Sequence, residues 1–181
     1  MKSYNNLGWA TDVLSQSART YLIDYFEEDR RYLEQNHNLM KTTQRTTDYS
    51  DPMQVEIQAR IQKAAETTMR MKLLPSTNGV LVEYVKGSYA MGHKDAEDQS
   101  ALSVITMIDL SQDLMGGEAY FSKTEDGISD GMISDSHYNK MIPGPMDNGD
   151  SLMYGSKMWH GVEEVISGRR LVLVTWFKED V

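Results

Sequence analysis

The most restrictive feature of this sequence is what it lacks: of its 181 residues none is cysteine, and only four are histidine. Without cysteine the chain can form neither a disulfide nor a thiolate-bound metal site. A metal ion held by this protein would therefore bind to imidazole and carboxylate groups. The small number of histidines limits where such a site can be.

Long apolar runs and an excess of positive charge are also missing. No stretch approaches the length of about 20 apolar residues that a membrane-spanning helix needs. The residues after Met1 do not form the apolar core of a signal peptide, so we expect a cytoplasmic protein without a membrane partner. Lys and Arg number 18 against 27 Asp and Glu, a net charge of −9, and we therefore expect no nucleic-acid partner. The sequence leaves the oligomeric state open.

The length and composition are those of one globular domain over residues 1–181, with 40% apolar and 25% charged residues. Residues 1–75 are predicted to be mainly helical. In the segment 20–26, Leu22, Tyr25 and Phe26 share one helical face. A polar, turn-prone stretch over 36–50 separates this helix from the next.

A second helix is predicted to begin at Asp51-Pro52, because Asp51 can cap it and proline suits the first helical position. Apolar residues then recur at helical spacing through Leu73, and they are Val55 or Ile57, Ile61, Ala65 and Met69. Such a helix is expected to pack its apolar stripe on a sheet.

From residue 76 onward the sequence predicts short strands separated by glycine-containing turns. The candidate strands are 80–85, 101–110, 118–121, 151–154, 159–165 and 171–177. Many short strands of similar spacing favour a sandwich or barrel over a parallel α/β sheet. The irregular segment 122–148 is predicted to be a lid or binding loop.

Two histidines and one acid form a candidate metal site. In an extended segment His93 and Asp95 project to the same side, with Lys94 turned away. With His160 they could hold one iron(II) on one face and leave the opposite positions open. The alternatives are a polar pair on a surface strand for His93 and Asp95, and a packed, hydrogen-bonded histidine beside Trp159 for His160.

An arginine pair follows the second histidine. Arg170, ten residues after His160, can return on a neighbouring strand, and its planar fork suits a carboxylate. We interpret Arg169 as a basic turn residue at the strand start. His137 lies in the long irregular segment and is a candidate for substrate contact, since loop residues often determine specificity.

Several blocks in this order resemble a known family. They are 84–95 with its tyrosine, glycine, aromatic residue and His-x-Asp, then 107–111 with Gly116-Gly117-Glu118, and 149–162 with Gly168-x-Arg170. Over 80–177 the sequence is similar to Fe(II)- and 2-oxoglutarate-dependent oxygenases of the prolyl 4-hydroxylase type, above all the compact phage and bacterial members. The resemblance implies a mainly β protein with N-terminal helices. Its core, over 76–181, would be a double-stranded β-helix, or jelly roll, with the helices packed on the major sheet.

The resemblance also implies roles for individual residues. His93, Asp95 and His160 would bind Fe(II) and be the catalytic centre, and Arg170 would pair with the distal carboxylate of 2-oxoglutarate. The remaining positions are pocket residues: Tyr84 beside the cosubstrate, with Trp176 and Tyr89 as walls.

The activity so implied is hydroxylation of an unactivated C–H bond with O2, yielding succinate and carbon dioxide, with ascorbate a candidate reductant. The leading hypothesis is a prolyl residue in a peptide or protein as substrate. One alternative is a free amino acid or another small metabolite. A further alternative, from a different class, is a non-catalytic double-stranded β-helix that binds a partner.

Overall fold

A computed structural model describes residues 7–28, 33–37, 39–76, 79–95, 101–122 and 140–181. Along these residues lie two helices, α1 (Gln16–Glu28) and α2 (Pro52–Met69). The strands are β1 (Gly8–Ala10), β2 (Leu33–His37), β3 (Met40–Thr46), β4 (Gly79–Val85), β5 (Tyr89–His93), β6 (Leu102–Leu110), β7 (Met115–Gly116), β8 (Ala119–Ser122), β9 (Lys140–Met141), β10 (Ser151–Gly155), β11 (Trp159–Val162), β12 (Val165–Ser167) and β13 (Arg169–Phe177).

Most strands belong to one curled antiparallel sheet. Its order is β1-β10-β6-β13-β4-β3-β5-β11-β8-β9, with β2 added on β3, while β7 and β12 form a separate pair. A mainly β jelly roll with N-terminal helices was predicted, and the sheet confirms it. All six predicted strands are present, although the segment 159–165 is divided between β11 and β12.

Alternation along the strands creates two apolar cores. On β13, Leu171 and Leu173 face the helices, whereas Val172 belongs to the cluster inside the curled sheet. On β6, Val104 packs with the helices and Ile105 lies on the inner side. Because successive side chains of a strand point to opposite faces, one sheet serves both cores.

The helices cover the outer face of the sheet as predicted. Leu22 and Phe26 of α1 and Ile57 of α2 are buried, whereas Val55 is 46% exposed, so Ile57 is the residue that belongs to the buried stripe. Asp51 caps α2, its carboxylate accepting from the Met53 N–H at 2.8 Å. Within the described residues, neither helix has the length and apolar character needed to cross a membrane.

Two predictions in the first half of the chain were wrong. The stretch over 36–50, predicted to be turn-prone, contains β3. The segment 1–75 contains the expected helices α1 and α2, and β1, β2 and β3 join the main sheet beside them. The threonines of β3 favour a strand once partners lie on both sides, and polarity masked that preference. The second helix ends at Met69 and not at Leu73, because Arg70 adopts a left-handed conformation with φ 53°.

Candidate active site

Strand pairing brings the two predicted histidine ligands together. In the antiparallel pair β5–β11, His93 lies directly opposite His160, and their ring centroids are 4.4 Å apart. The Nδ1 of His93 lies 2.8 Å from the Met91 carbonyl, and that of His160 lies 3.0 Å from the Met158 carbonyl. A carbonyl can only accept, so each Nδ1 is the donor, and in the neutral ring Nε2 is the nitrogen left for a metal ion.

The carboxylate of Asp95 completes the group. Its Oδ1 lies 3.8 Å from His160 Nε2, and its Oδ2 accepts a hydrogen bond from the Ser103 hydroxyl. One ligand atom from each of His93, Asp95 and His160 lies within 4.8 Å of the others. Lys94 between them is exposed, with its ammonium 5.2 Å from the centre of the Trp159 ring. Two imidazoles and one carboxylate in this arrangement fit an iron(II) ion.

The environment keeps His160 in the form that binds metal. Burial lowers the pKa of His160 to about 4; Asp95 acts in the opposite direction and His93 in the same one. At neutral pH the imidazole is therefore uncharged. A neutral ring with a free Nε2 is what a metal ion requires of a histidine ligand.

Arg170 and Tyr84 lie directly opposite each other on β13 and β4. Both side chains are buried, and the guanidinium carbon is 5.0 Å from the centre of the Tyr84 ring. Burial lowers the pKa of Arg170, while Tyr84 raises it, and burial raises the pKa of Tyr84. Among the described residues, the buried Nη1 of Arg170 has no hydrogen-bond partner.

Arg169 has the opposite surroundings. Its guanidinium pairs with Glu27 at 2.6 Å, Glu83 at 2.6 Å and Asp109 at 3.4 Å, and lies over the Phe26 ring. These contacts tie α1 to the sheet. Arg169 is thus occupied by three carboxylates, whereas Arg170 offers an unpaired donor.

The predicted residues line a cavity of about 310 Å³ inside the curled sheet. Its polar wall contains Tyr84, His93, Asp95, His160, Arg170 and Trp176. Apolar side chains supply the rest, among them Val82, Ile105, Phe121 and Val172. A second hollow of about 410 Å³ adjoins it and shares Ala119 and Arg170.

One predicted pocket residue lies elsewhere, and for a second the role stays a prediction. Tyr89 is half-buried on β5 but is not among the residues lining this cavity, and His137 lies outside the described residues. Four residues of the site were not predicted from the sequence. Met40 and Gln44 line the cavity from β3, Tyr154 lines it from β10 with its ring 4.6 Å from that of His160, and Ser103 holds Asp95. The alternation of β6 was a usable signal for Ser103, a lone polar residue at an inward position.

No family model and no curated protein matches this sequence. Solved structures are nevertheless similar over almost the whole chain. A prolyl-4-hydroxylase of Pseudomonas putida is 14% identical with a TM-score of 0.71, over 98% of this chain and 94% of its own. A prolyl hydroxylase of Trichoplax adhaerens, in complex with a hypoxia inducible factor peptide fragment, is 12% identical with a TM-score of 0.66, over 96% and 84%.

The non-heme alpha ketoglutarate dependent epimerase SnoN from nogalamycin biosynthesis is similar to the same degree. It is 12% identical with a TM-score of 0.70, over 96% of this chain and 78% of its own. At such identities the similarity defines the fold, which is the double-stranded β-helix of Fe(II)- and 2-oxoglutarate-dependent oxygenases. The predicted fold is confirmed.

Proposed function

We propose that this protein is an Fe(II)- and 2-oxoglutarate-dependent hydroxylase, acting as one domain over residues 1–181. The observation that carries the proposal is a single cavity with a two-histidine, one-carboxylate group on one wall and a buried arginine with an unpaired nitrogen on another. A buried cation without a full set of partners is costly unless an anion joins it. A dicarboxylate that reaches from the metal ion to Arg170 would bind the metal at one end and pair with the guanidinium at the other.

In this proposal His93, Asp95 and His160 hold the metal ion. The carbonyls of Met91 and Met158 fix the two imidazole rings, so that Nε2 of each faces the cavity. With 2-oxoglutarate and O2, bound iron(II) supplies the oxidising chemistry that hydroxylates a C–H bond, with release of succinate and carbon dioxide. Ascorbate is the proposed reductant that maintains the ferrous ion.

Arg170 and Tyr84 bind the cosubstrate in this proposal. The guanidinium forms the charged end of the pocket, and the neutral phenol of Tyr84 can donate to the same carboxylate. Val82 and Val172 on the same strands give the cavity apolar walls beside these two groups. Trp176, half-buried on β13, is a wall on the substrate side.

The proposed substrate is a prolyl residue in a peptide or protein. Two prolyl hydroxylases, one of them in complex with a peptide, share the fold over nearly the whole chain, which supports this choice. A small metabolite is the second candidate, because SnoN has an equally similar structure. The complete set of metal-binding and arginine side chains argues against a non-catalytic binding domain.

The first test is an anaerobic titration with Fe(II) and 2-oxoglutarate, followed by the weak visible charge-transfer band of their chelate. We expect the band with the native protein. The Arg170→Met protein should still bind Fe(II) but need at least about 30-fold more 2-oxoglutarate, since losing one partner of a buried charge pair costs about 2 kcal/mol or more.

The matched control is Arg169→Met, which removes the same charge from the neighbouring residue. It should lose stability through its three ion pairs but keep its 2-oxoglutarate affinity. If the two variants behave in the reverse way, the anchor is Arg169. If the native protein shows neither bound iron nor the band, the hydroxylase proposal fails and the binding-domain alternative replaces it.

A further inference from the structure

Ser103 occupies an unusual place beside the proposed metal group. It is fully buried on β6, opposite Tyr154 of β10 on one side and Trp176 of β13 on the other. Both of these neighbours line the cavity that contains the metal-binding side chains. Its hydroxyl donates to Asp95 Oδ2. The serine therefore connects the centre of the sheet to a proposed iron ligand.

The two oxygens of Asp95 have different surroundings. Oδ2 is engaged by Ser103, whereas Oδ1 lies 3.8 Å from His160 Nε2, on the side where the histidine ligands meet. A free carboxylate can bind a metal ion through one oxygen or through both. Because Oδ2 accepts the hydrogen bond from the hydroxyl, binding of the metal through Oδ1 alone is favoured, and a coordination position then stays open for the cosubstrate.

Asp95 needs such a contact more than the histidines do. His93 and His160 lie on paired strands, and each ring is fixed by the carbonyl two residues earlier. Asp95 follows the end of β5 and has no ladder partner. A side-chain hydrogen bond is thus what the described residues provide to orient its carboxylate.

A buried hydroxyl at this position also requires a hydrogen-bonding partner. β6 is otherwise apolar on its inner side, where Ile105 and Met107 follow Ser103. Burying a hydroxyl costs free energy unless it is hydrogen-bonded. Burial raises the pKa of Tyr154 well above its usual value, as does Asp95, while a hydrogen bond with Ser103 lowers it. Ser103 is therefore in contact with two polar groups of the cavity, Asp95 and Tyr154.

We infer that Ser103 is a positioning residue: it holds Asp95 Oδ2 so that Oδ1 alone serves as the carboxylate ligand of the metal ion. This inference rests on the proposed function, because it assumes that Asp95 binds the metal. It adds a residue to the site that neither a sequence motif nor a direct metal contact identifies.

The test is the affinity for Fe(II), measured anaerobically without 2-oxoglutarate or substrate. Ser103→Ala should bind Fe(II) roughly 10- to 100-fold more weakly than the native protein, the range found when partners of metal ligands are removed. Ser103→Thr, which keeps the hydroxyl, should restore most of the affinity. Ser103→Val has the shape of threonine without the hydroxyl and should not restore it, so this pair decides the matter even if the alanine variant fails to fold.

The matched control is Thr106→Val on the same strand. Thr106 is also fully buried, but it faces away from the cavity and its hydroxyl lies 2.8 Å from that of Ser151. Thr106→Val should lower the urea midpoint without changing Fe(II) affinity. Equal affinity of the Ser103→Thr and Ser103→Val proteins would overturn the inference, whereas a native protein that binds no Fe(II) would overturn the proposed function as well.

Discussion

Neighbouring residues of one strand can have unrelated roles, and Arg169 and Arg170 illustrate this. The outward Arg169 is neutralised by Glu27, Glu83 and Asp109, and the inward Arg170 lines the cavity with an unpaired Nη1. Spacing from His160 indicated Arg170 from the sequence. The ion pairs that argue against Arg169 as the cosubstrate anchor involve residues far apart in the chain. Only the fold could therefore reveal them.

At the residue scale, Tyr84→Phe tests the second group at the arginine end of the cavity. The ring keeps its place on β4, but the substitution removes the hydroxyl that bonds to Arg170 and that we propose donates to the cosubstrate carboxylate. We expect the dissociation constant of 2-oxoglutarate to rise about 5- to 10-fold, the effect of one hydrogen bond of about 1 kcal/mol. Anaerobic titration of the chelate band measures it.

The control for this change is Tyr120→Phe. Tyr120 is also a buried tyrosine, with a pKa raised to about 12 chiefly by burial, but it is not among the residues lining the cavity. Its 2-oxoglutarate affinity should be native. Equal losses in the two proteins would mean that the phenol acts on general packing and not on the cosubstrate.

At the element scale, β11 is held between β5 and β8, and Gly161 makes this close approach possible. A Cβ at Gly161 would lie 2.6 Å from the Ala90 carbonyl oxygen and would also overlap the Tyr120 hydroxyl. Gly161→Ala should therefore cost about 2 kcal/mol or more in unfolding free energy. Because His160 is the adjacent residue, the Fe(II) affinity of Gly161→Ala should decrease together with its stability.

Gly144→Ala serves as the control, since a Cβ there meets nothing nearer than the Trp9 ring at 3.7 Å. Urea midpoints and Fe(II) affinities of the two variants should be compared. Adding Tyr120→Phe to Gly161→Ala should not restore either quantity, because the Ala90 carbonyl belongs to the backbone. A stable Gly161→Ala protein with native Fe(II) affinity would show that β11 can shift without disturbing the site.

The apolar strands could be predicted from the sequence, and β3 could not. Runs such as β6 and β13 are long, β-branched and apolar, so their own composition identifies them. β3 reads Met-Lys-Thr-Thr-Gln-Arg-Thr and becomes a strand through pairing with β2, β4 and β5. Its cavity residues Met40 and Gln44 were missed for the same reason.

At the scale of the whole molecule, the site depends on segments from both halves of the chain. β3 lies between β4, which carries Tyr84, and β5, which carries His93. Spacing indicated His93, Asp95, His160 and Arg170 as candidates, and the resemblance to a family supplied their expected roles. β3 connects the strand that carries Tyr84 to the strand that carries His93, and it comes from the segment 1–75, which was predicted to be only helical support. This position of β3 supports treating residues 1–181 as one functional unit.

Burial of the site should also make the stability of the whole metal-free protein depend on pH. A histidine in the unfolded chain takes up a proton below about pH 6.5. In the folded protein, burial lowers the pKa of His160 to about 4, although Asp95 acts in the opposite direction. Between these values the unfolded state binds more protons, so the unfolding free energy decreases as the pH falls. The total decrease should be of the order of 3 kcal/mol, measured as urea midpoints of protein freed of metal by a chelator.

The variant His160→Gln isolates this contribution, because it keeps a polar side chain of similar size that does not titrate. Its urea midpoint should change less between pH 6.5 and 4 than that of the native protein. Hydrogen bonds from Ser50 and Tyr21 lower the pKa of Asp48 and Asp51, so these carboxyl groups also contribute less stability toward pH 4. Both proteins contain them, so their contribution cancels in the comparison. Equal pH dependence in the two proteins would mean that His160 is protonated in the native state as readily as in the unfolded chain, and that its site is open to water.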